Sequence, residues 1–389
     1  MPDLATIAAF LDPKHREMAS GLDMFVEAEL ARRPKPKDDD DARREAVELV
    51  RLMGRAGLYA PLGEMDYRGA ALTRESIAVA SPLADAVYAI QGLCLTPLLL
   101  AGTEAQMDRY RPGLLSGDLV GGFAMTEPEA GSDVAAMTTT ARLEGDDYVL
   151  NGRKWLISNA GIADLYMVFA STDPDAGSRG ITCFAIPADT PGFRFAGAQV
   201  MSAPHPLGEL VFSDCRVPRS AVVGEVGAGF KVGMATLDRL RLTVAAAACG
   251  MAERALAEAL AHATTRRQFG QTLSEFQVIQ GKLGHMAMEL AAARLLVYQA
   301  AWTRDGGADR VTLEAARAKA FATEAAQRIV DDAVQILGGR GVLADSPVDY
   351  LYRAVRALRI YEGTTEIQYL IIARQLIRGA EATAPGGDA

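Results

Sequence analysis

The spacing of apolar residues changes period twice along the chain, and this limits the folds open to it. Toward the C-terminus, Leu240, Val244, Ala247 and Met251 recur at intervals of three and four, as do Leu283, Met286, Leu290, Ala293 and Val297. That is the spacing of buried helix faces. In the first third, Val47, Val50 and Met53 mark another such face, and Leu93, Leu98, Leu99 and Leu100 supply apolar bulk. Between them the pattern shortens to runs bounded by Gly, Asp and Pro: 148–150, 154–158, 165–171, 181–187, 193–196 and 209–212. These read as strands, with Asn151-Gly152 as a hairpin signal. The chain is therefore expected to be α+β. A helical domain (1–120) precedes a β-barrel or sandwich (121–227), a C-terminal four-helix bundle (228–380) and a disordered tail (381–389). There is no internal repeat.

A chain of 389 residues is long enough for such a division and for a large core. No apolar run approaches the roughly 20 residues of a membrane span. The N-terminal stretch lacks a basic region followed by an apolar core, so no secretory signal is expected. Cys94, Cys183, Cys215 and Cys249 lie far apart and form no metal or redox pair, which fits reduced thiols in the cytoplasm. His15, His205, His262 and His285 lack metal-ligand spacing, so each reads as structural and no metal is expected. A net charge of −9 argues against nucleic acid as a partner. The acidic run at 34–45 reads as a solvated helix start, with its aspartates where the helix dipole favours them.

The stretch IYEGTTEIQ (360–368) carries the most chemistry. Glu362 stands beside Gly363, which leaves room for a ligand, and Thr364 can cap a helix while holding a cofactor group. Tyr361 offers an apolar wall, and burial raises a carboxylate's pKa toward the range useful for proton abstraction. Taken alone, the stretch favours a plainer reading, a capped helix start with Glu362 a solvated first-turn acid.

Four further motifs accompany it: TEPEAGSD (126–133), NGRKWLISNA (151–160), RRQFG (266–270) and QILGGRG (335–341). On their own these read as a polar turn, a strand with Trp155 in the core, a basic helix end with a core aromatic, and a glycine helix stop. The QILGGRG glycines are not a dinucleotide fingerprint, because no strand–GxGxxG–helix unit is present. In this order and at these separations the set resembles the acyl-CoA dehydrogenase family, and the resemblance covers nearly the whole chain.

That resemblance implies a flavoenzyme that oxidises an acyl-CoA to the trans-2-enoyl-CoA in fatty acid metabolism. Electrons would pass to electron-transferring flavoprotein, and the enzyme would be a homotetramer built as a dimer of dimers. Glu362 would be the catalytic base; Leu240 stands where other members carry theirs. Phe123, Met125, Thr126, Ser132, Leu156 and Ser158 would contact FAD. So would Thr364 and Glu366. Arg266, Gln268, Phe269, Gln277, Gln335, Gly338 and Gly339 would reach the FAD of a neighbouring subunit. Ser132, Asp238, Arg241, Tyr361 and Gly363 would meet the acyl-CoA, although Asp238 and Arg241, one turn apart, also read as a surface ion pair.

The chain departs from the family at Leu156, where a tryptophan is usual, and at 66–69, where a glycine pair is usual. No arginine stands as in the glutaryl-CoA members, which disfavours a dicarboxylic substrate. The Leu156 departure keeps open an oxidase or eliminating variant of the fold. A silent FAD-binding member is the third class.

Overall fold

The twofold change of period is borne out by the order of elements. The computed structural model describes residues 2–383. It opens with α1 (Pro13–Phe25), α2 (Asp39–Arg55), α3 (Ala60–Glu64), α4 (Tyr67–Ala80), α5 (Pro82–Ala101) and α6 (Glu104–Ser116). Then come β1 (Gly121–Ala124), β2 (Thr140–Glu144), β3 (Asp147–Ser158), β4 (Leu165–Ser171), β5 (Ile181–Pro187), β6 (Phe193–Ala198), β7 (Leu207–Pro218) and β8 (Val222–Val223). Helix α7 (Gly229–Thr265) leads to a ribbon of β9 (Arg267–Gln268) and β10 (Gln271–Thr272). Helices α8 (Gln277–Asp305), α9 (Thr312–Leu337), α10 (Pro347–Leu358) and α11 (Thr365–Thr383) complete the described chain. Residues 381–383 of the expected disordered tail therefore lie in α11, and 384–389 fall outside the described residues.

By contact density the chain forms two units: Pro34–Asp66 with Leu83–Leu240, and the remainder. The first, the sheet unit, has strand order β6-β7-β3-β2-β4-β5-β8, with β1 parallel beside β4. Every residue of β4 is buried, as suits a central strand covered on both faces. Asn151-Gly152 makes no hairpin. β3 runs straight through it, paired to β7, with a register shift between Leu150 and Gly152. Asn151 serves the bulge instead, accepting the Asp214 N–H at 2.9 Å. The tight turn lies earlier, at Gly145 with φ +65°, and it joins β2, a strand the apolar pattern did not reveal, to β3.

Local signals set the helix ends of this unit. The Asp38 carboxylate accepts the Asp41 N–H at 2.8 Å to start α2. Gly117 closes α6 at φ +75°, and a Cβ there would lie 2.4 Å from the Val50 carbonyl of α2, so only glycine fits. Gln91 of α5 donates to the Leu114 carbonyl at 2.8 Å and accepts the Gly121 N–H at 2.9 Å, tying helix to strand. The expectation that no apolar run nears membrane-span length is corrected by α5. It has 20 residues, and an 18-residue window within it has mean hydropathy 1.6, long and apolar enough, yet 72% of that window is buried within the fold.

The helical unit holds α1, α4, α7 from Arg241 onward, and α8 to α11. Its center is polar. Glu75 of α4 is fully buried and accepts Arg294 Nε–H at 2.6 Å and the Tyr298 hydroxyl at 2.8 Å. Arg294 reaches on to Glu253 of α7 at 2.8 Å. Backbones meet there too, since a Cβ on Gly250 of α7 would lie 2.2 Å from the Glu75 carbonyl. Asp305 at the end of α8 accepts the Tyr67 and Arg68 N–H groups at 2.9 and 3.1 Å, so it starts α4 where the family's glycine pair is missing.

A buried carboxylate that loses its cation costs about 3–5 kcal/mol. Arg294→Met should therefore lower the unfolding free energy by about that much. Adding Glu75→Gln should recover part of the loss, because no charge is then stranded. Urea unfolding of the parent, both single variants and the double variant checks this; a double variant no better than Arg294→Met would contradict it.

Candidate active site

The turn between α10 and α11 has a backbone that few side chains tolerate. Glu362 sits at φ +53° and Gly363 at φ +91°. A left-handed residue other than glycine costs about 1–2 kcal/mol and persists only where its surroundings impose it. Here they do. Arg241 Nε–H donates to the Glu362 carbonyl at 3.0 Å, and Lys319 Nζ donates to the Gly363 carbonyl at 2.6 Å. Gln368 adds an amide N–H to the Gly363 carbonyl at 2.9 Å. Arg241 is 4% exposed, and Lys319 and Gln368 are fully buried. A Cβ on Gly363 would stand 2.6 Å from Gln368 Nε2, so the glycine is needed twice over.

The rest of the turn is tied to α9 and α11. Glu324 accepts from Arg359 Nε at 2.7 Å and from the Thr365 hydroxyl at 2.8 Å. Thr364 caps α11 by accepting the Ile367 N–H at 3.4 Å. Glu366 is exposed. Glu362 is half-buried, whereas Tyr361 is 38% exposed and walls it incompletely. Burial pushes the Lys319 ammonium down to about 8, and the Glu362 carboxylate pulls the other way. A carboxylate on a rigid turn, attended by two buried cations, can serve as a base in a fixed position.

In the sheet unit the residues around Thr126 are held by a further buried cation. Lys154 Nζ, on β3, donates to the Met125 carbonyl at 3.0 Å and to Glu127 at 2.8 Å. Glu127 also accepts the Thr138 and Thr139 N–H groups at 2.6 and 3.0 Å. Burial pushes Lys154 down to about 8, with Glu127 opposing. Burial would raise the Glu127 carboxyl, but Lys154 and these hydrogen bonds outweigh it and hold it below its ordinary value. The Trp155 N–H donates to the Thr126 carbonyl at 2.9 Å, closing the loop onto β3.

The expected core position of Trp155 is corrected: it is only half-buried. A register shift between Lys154 and Ile157 breaks the strand's alternation, and those two residues point inward instead. Leu156, within the shift, has φ +54°, is 51% exposed, and donates its N–H to Gln199 at 3.0 Å. Ser158 Oγ lies 2.8 Å from His205 Nε2. Phe123 is half-buried against Phe169, ring centers 5.0 Å apart. Met125 is buried beside Gly233 of α7, Thr126 is half-buried and Ser132 is exposed.

The remaining candidates lie on the surface of the helical unit, except Asp238, half-buried on the stretch of α7 in the sheet unit. Phe269 tips the β9–β10 ribbon at φ +51° and is 94% exposed. Arg266, Gln268 and Gln277 are exposed beside it in sequence. Gln335, Gly338 and Gly339 are exposed at the end of α9, with Gly338 at φ +59°. A cavity of about 620 Å³ opens between the ends of α7 and α9 and the start of α10, lined by His262, Thr265, Arg340 and Ser346 among others. Burial and the charges of Arg340 and Arg266 hold His262 below its ordinary value.

Sequence reasoning missed Lys319, Lys154, Glu127, His205 and Gln368. Lys319 did leave a signal. It falls in an alanine-rich helix, four residues from Ala315 and three from Ala322, both fully or nearly fully buried.

Comparison with known proteins gives a consistent result. Family models described as the N-terminal, middle and C-terminal domains of acyl-CoA dehydrogenase match residues 12–118, 122–215 and 227–377. The chain is 40% identical over 336 residues to the human mitochondrial short-chain specific acyl-CoA dehydrogenase, covering 86% of this chain and 80% of that one. Among solved structures, butyryl-CoA dehydrogenase from Megasphaera elsdenii is similar with TM-score 0.88 and 36% identity, covering 95% of this chain and 99% of that one. A chain from work on the electron transferring flavoprotein of Acidaminococcus fermentans and flavin-based electron bifurcation matches with the same TM-score, identity and coverage.

The His205 ring yields a pH prediction. Burial, with the charge of Arg43, pushes it down to about 4 from an ordinary 6.5. Between those values the unfolded chain binds a proton that the folded chain does not, so stability rises with pH across the window and falls on acidification. The expected loss from pH 6.5 to pH 4 is roughly 2–3 kcal/mol from this group. Urea unfolding at both pH values should show a smaller acid loss in His205→Asn than in the parent; equal losses would contradict the assignment.

Proposed function

Because this chain belongs to the acyl-CoA dehydrogenase family, and is an oxidoreductase acting on acyl-CoA, we propose that it oxidises a short-chain acyl-CoA to the trans-2-enoyl-CoA with Glu362 as base and FAD as cofactor. The observation that carries this reading is the turn itself: a left-handed glutamate whose carbonyl and whose neighbour's carbonyl are each gripped by a buried cation. Strain of that kind is retained where it sets a reacting group.

The thioester carbonyl acidifies the α C–H of the substrate. Glu362 takes that proton, the electron pair left on the α carbon forms the new double bond, and the β hydrogen departs with its own pair. FAD, when bound, supplies the two-electron acceptor for that hydride. Developing charge on the thioester oxygen needs hydrogen-bond donors, and a rigid backbone turn meets that need without reorganisation.

The residues fit a flavin. The hydroxyl of Thr126 has no hydrogen-bond partner among the described residues, and Ser158 presents a hydroxyl on the same strand as the exposed, apolar Leu156. These, with Phe123, Met125 and Ser132, would hold the ring system; Thr364 and Glu366 would also touch the cofactor. Phe269 supports a contribution to a neighbouring subunit's FAD, because a 94%-exposed aromatic on a ribbon is ill placed in an isolated chain. Arg266, Gln268, Gln277, Gln335, Gly338 and Gly339 would join it, in a homotetramer. Asp238, Tyr361, Gly363 and Arg241 would meet the acyl-CoA. Electron-transferring flavoprotein would take the electrons onward, as the similarity to a chain from work on that protein suggests. A short acyl chain is the class to test first, since the human relative is short-chain specific and the similar M. elsdenii structure is a butyryl-CoA dehydrogenase.

Glu362→Gln keeps the size and removes the base. The variant is expected to keep FAD and bind acyl-CoA, while anaerobic flavin bleaching slows by about 10² to 10⁴. Stopped-flow absorbance with butyryl-CoA measures this, after flavin content is matched to the parent. Bleaching within about tenfold of the parent would mean that another group takes the proton.

A further inference from the structure

We propose that Lys319 is a positioning residue of the catalytic turn: its buried ammonium, donated to the Gly363 carbonyl, holds Glu362 in the left-handed conformation from which its carboxylate acts. The inference rests on the reading of Glu362 as base, and assigns a role to a residue that no motif singled out.

The argument begins from cost. Lys319 is fully buried in the Ala-rich face of α9, where a leucine or methionine would fill the same space without a charge to desolvate. Removing an ammonium from water costs several kcal/mol unless it is paired and hydrogen-bonded. Its acceptor among the described residues is one neutral carbonyl, Gly363 O, at 2.6 Å. No carboxylate of the described residues lies within ion-pair distance, and Glu324, further along α9, is taken by Arg359 and Thr365. A charge retained under those conditions serves the turn rather than general stability.

The geometry says how. Helix α9 holds the turn at two places, Lys319 at the Gly363 carbonyl and Glu324 at Arg359 and Thr365, while Arg241 of α7 holds the Glu362 carbonyl from another helix. The carbonyls of two successive residues, Glu362 and Gly363, are thus pointed at cations, which leaves the left-handed conformation as the one that satisfies both. Without Lys319 the Gly363 carbonyl keeps only the Gln368 amide. Glycine at φ +91° has other conformations open to it, and Glu362 is then released from its strained state. The nearness of the Glu362 carboxylate to Lys319 is independently visible in the pull it exerts on that ammonium.

The test compares the parent with Lys319→Met and Lys319→Arg, all loaded with flavin. Bleaching at saturating acyl-CoA should fall about 10- to 100-fold in Lys319→Met, as for a misplaced reacting group, with half-saturation within about threefold of the parent. Lys319→Arg, which keeps a cation, should retain more of the rate. Amide hydrogen exchange gives a readout free of turnover: residues 360–365 should exchange faster in Lys319→Met, while the amides around Glu75 and Arg294 stay protected. Bleaching within threefold of the parent, equal rates in the two variants, or exchange that rises uniformly over the helical unit would each overturn the proposal. Should Lys319→Met not fold, Lys319→Gln takes its place with the same readouts. A parent whose flavin is not bleached by any acyl-CoA would defeat the reading of Glu362 as base, yet the exchange comparison would still decide whether Lys319 holds the turn.

Discussion

Buried cations donating to loop carbonyls are the device on which the candidate loop of each unit depends. Lys154 holds the Met125 carbonyl ahead of the Thr126 loop, and Arg241 and Lys319 hold the carbonyls of Glu362 and Gly363. Each cation comes from a long regular element, β3, α7 or α9, and each acceptor lies in a connection. A buried charge is costly without such a partner, so the arrangement links the stability of the scaffold to the geometry of the loop. The loop cannot relax without leaving a charge unsolvated. This is how a connection, ordinarily the softest part of a fold, comes to hold a side chain still.

Backbone strain follows the same map. Among the described residues, six other than glycine have positive φ: Met65, Leu156, Asn159, Asp214, Phe269 and Glu362. Four of them, Leu156, Asn159, Phe269 and Glu362, fall inside motifs that the sequence singles out for chemistry. Strain that costs of order 1–3 kcal/mol per residue is retained where the surroundings over-determine it. At Glu362 those surroundings are two cations and an amide; at Leu156 they include the Gln199 side chain.

Much of the fold was legible because its signals are local and periodic. The start of α7 at Gly229, the buried faces at Leu240 and Met286, and the change from helix to strand after Gly117 all follow from spacing and caps. The errors arose where one local signal was overruled by pairing at a distance. Asn151-Gly152 has the composition of a hairpin, but β7 continues alongside and turns it into a bulge. Trp155 looked like a core residue until that same strand's second register shift put Lys154 inward. On the site, Glu362 and its glycine could be read from the chain because they adjoin each other. Arg241 was singled out for the acyl-CoA but not as a support of the turn, and Lys319 was not singled out at all, since they lie 121 and 43 residues from Glu362 and meet the turn only in the folded chain. A lysine in an apolar helix face was the one visible trace.

The central claim is that Glu362, so held, removes the α proton of a CoA thioester. Proton removal can be separated from oxidation by using an acyl-CoA analogue with sulfur in place of the β carbon, which has an acidic α C–H and no β hydrogen to lose. NMR of the α-deuterated analogue in ordinary water, with flavin-loaded parent and Glu362→Gln, measures the wash-out of deuterium. The account predicts wash-out by the parent and its loss in the variant by about 10² or more. No wash-out by the parent, or the same rate in both proteins, would contradict it.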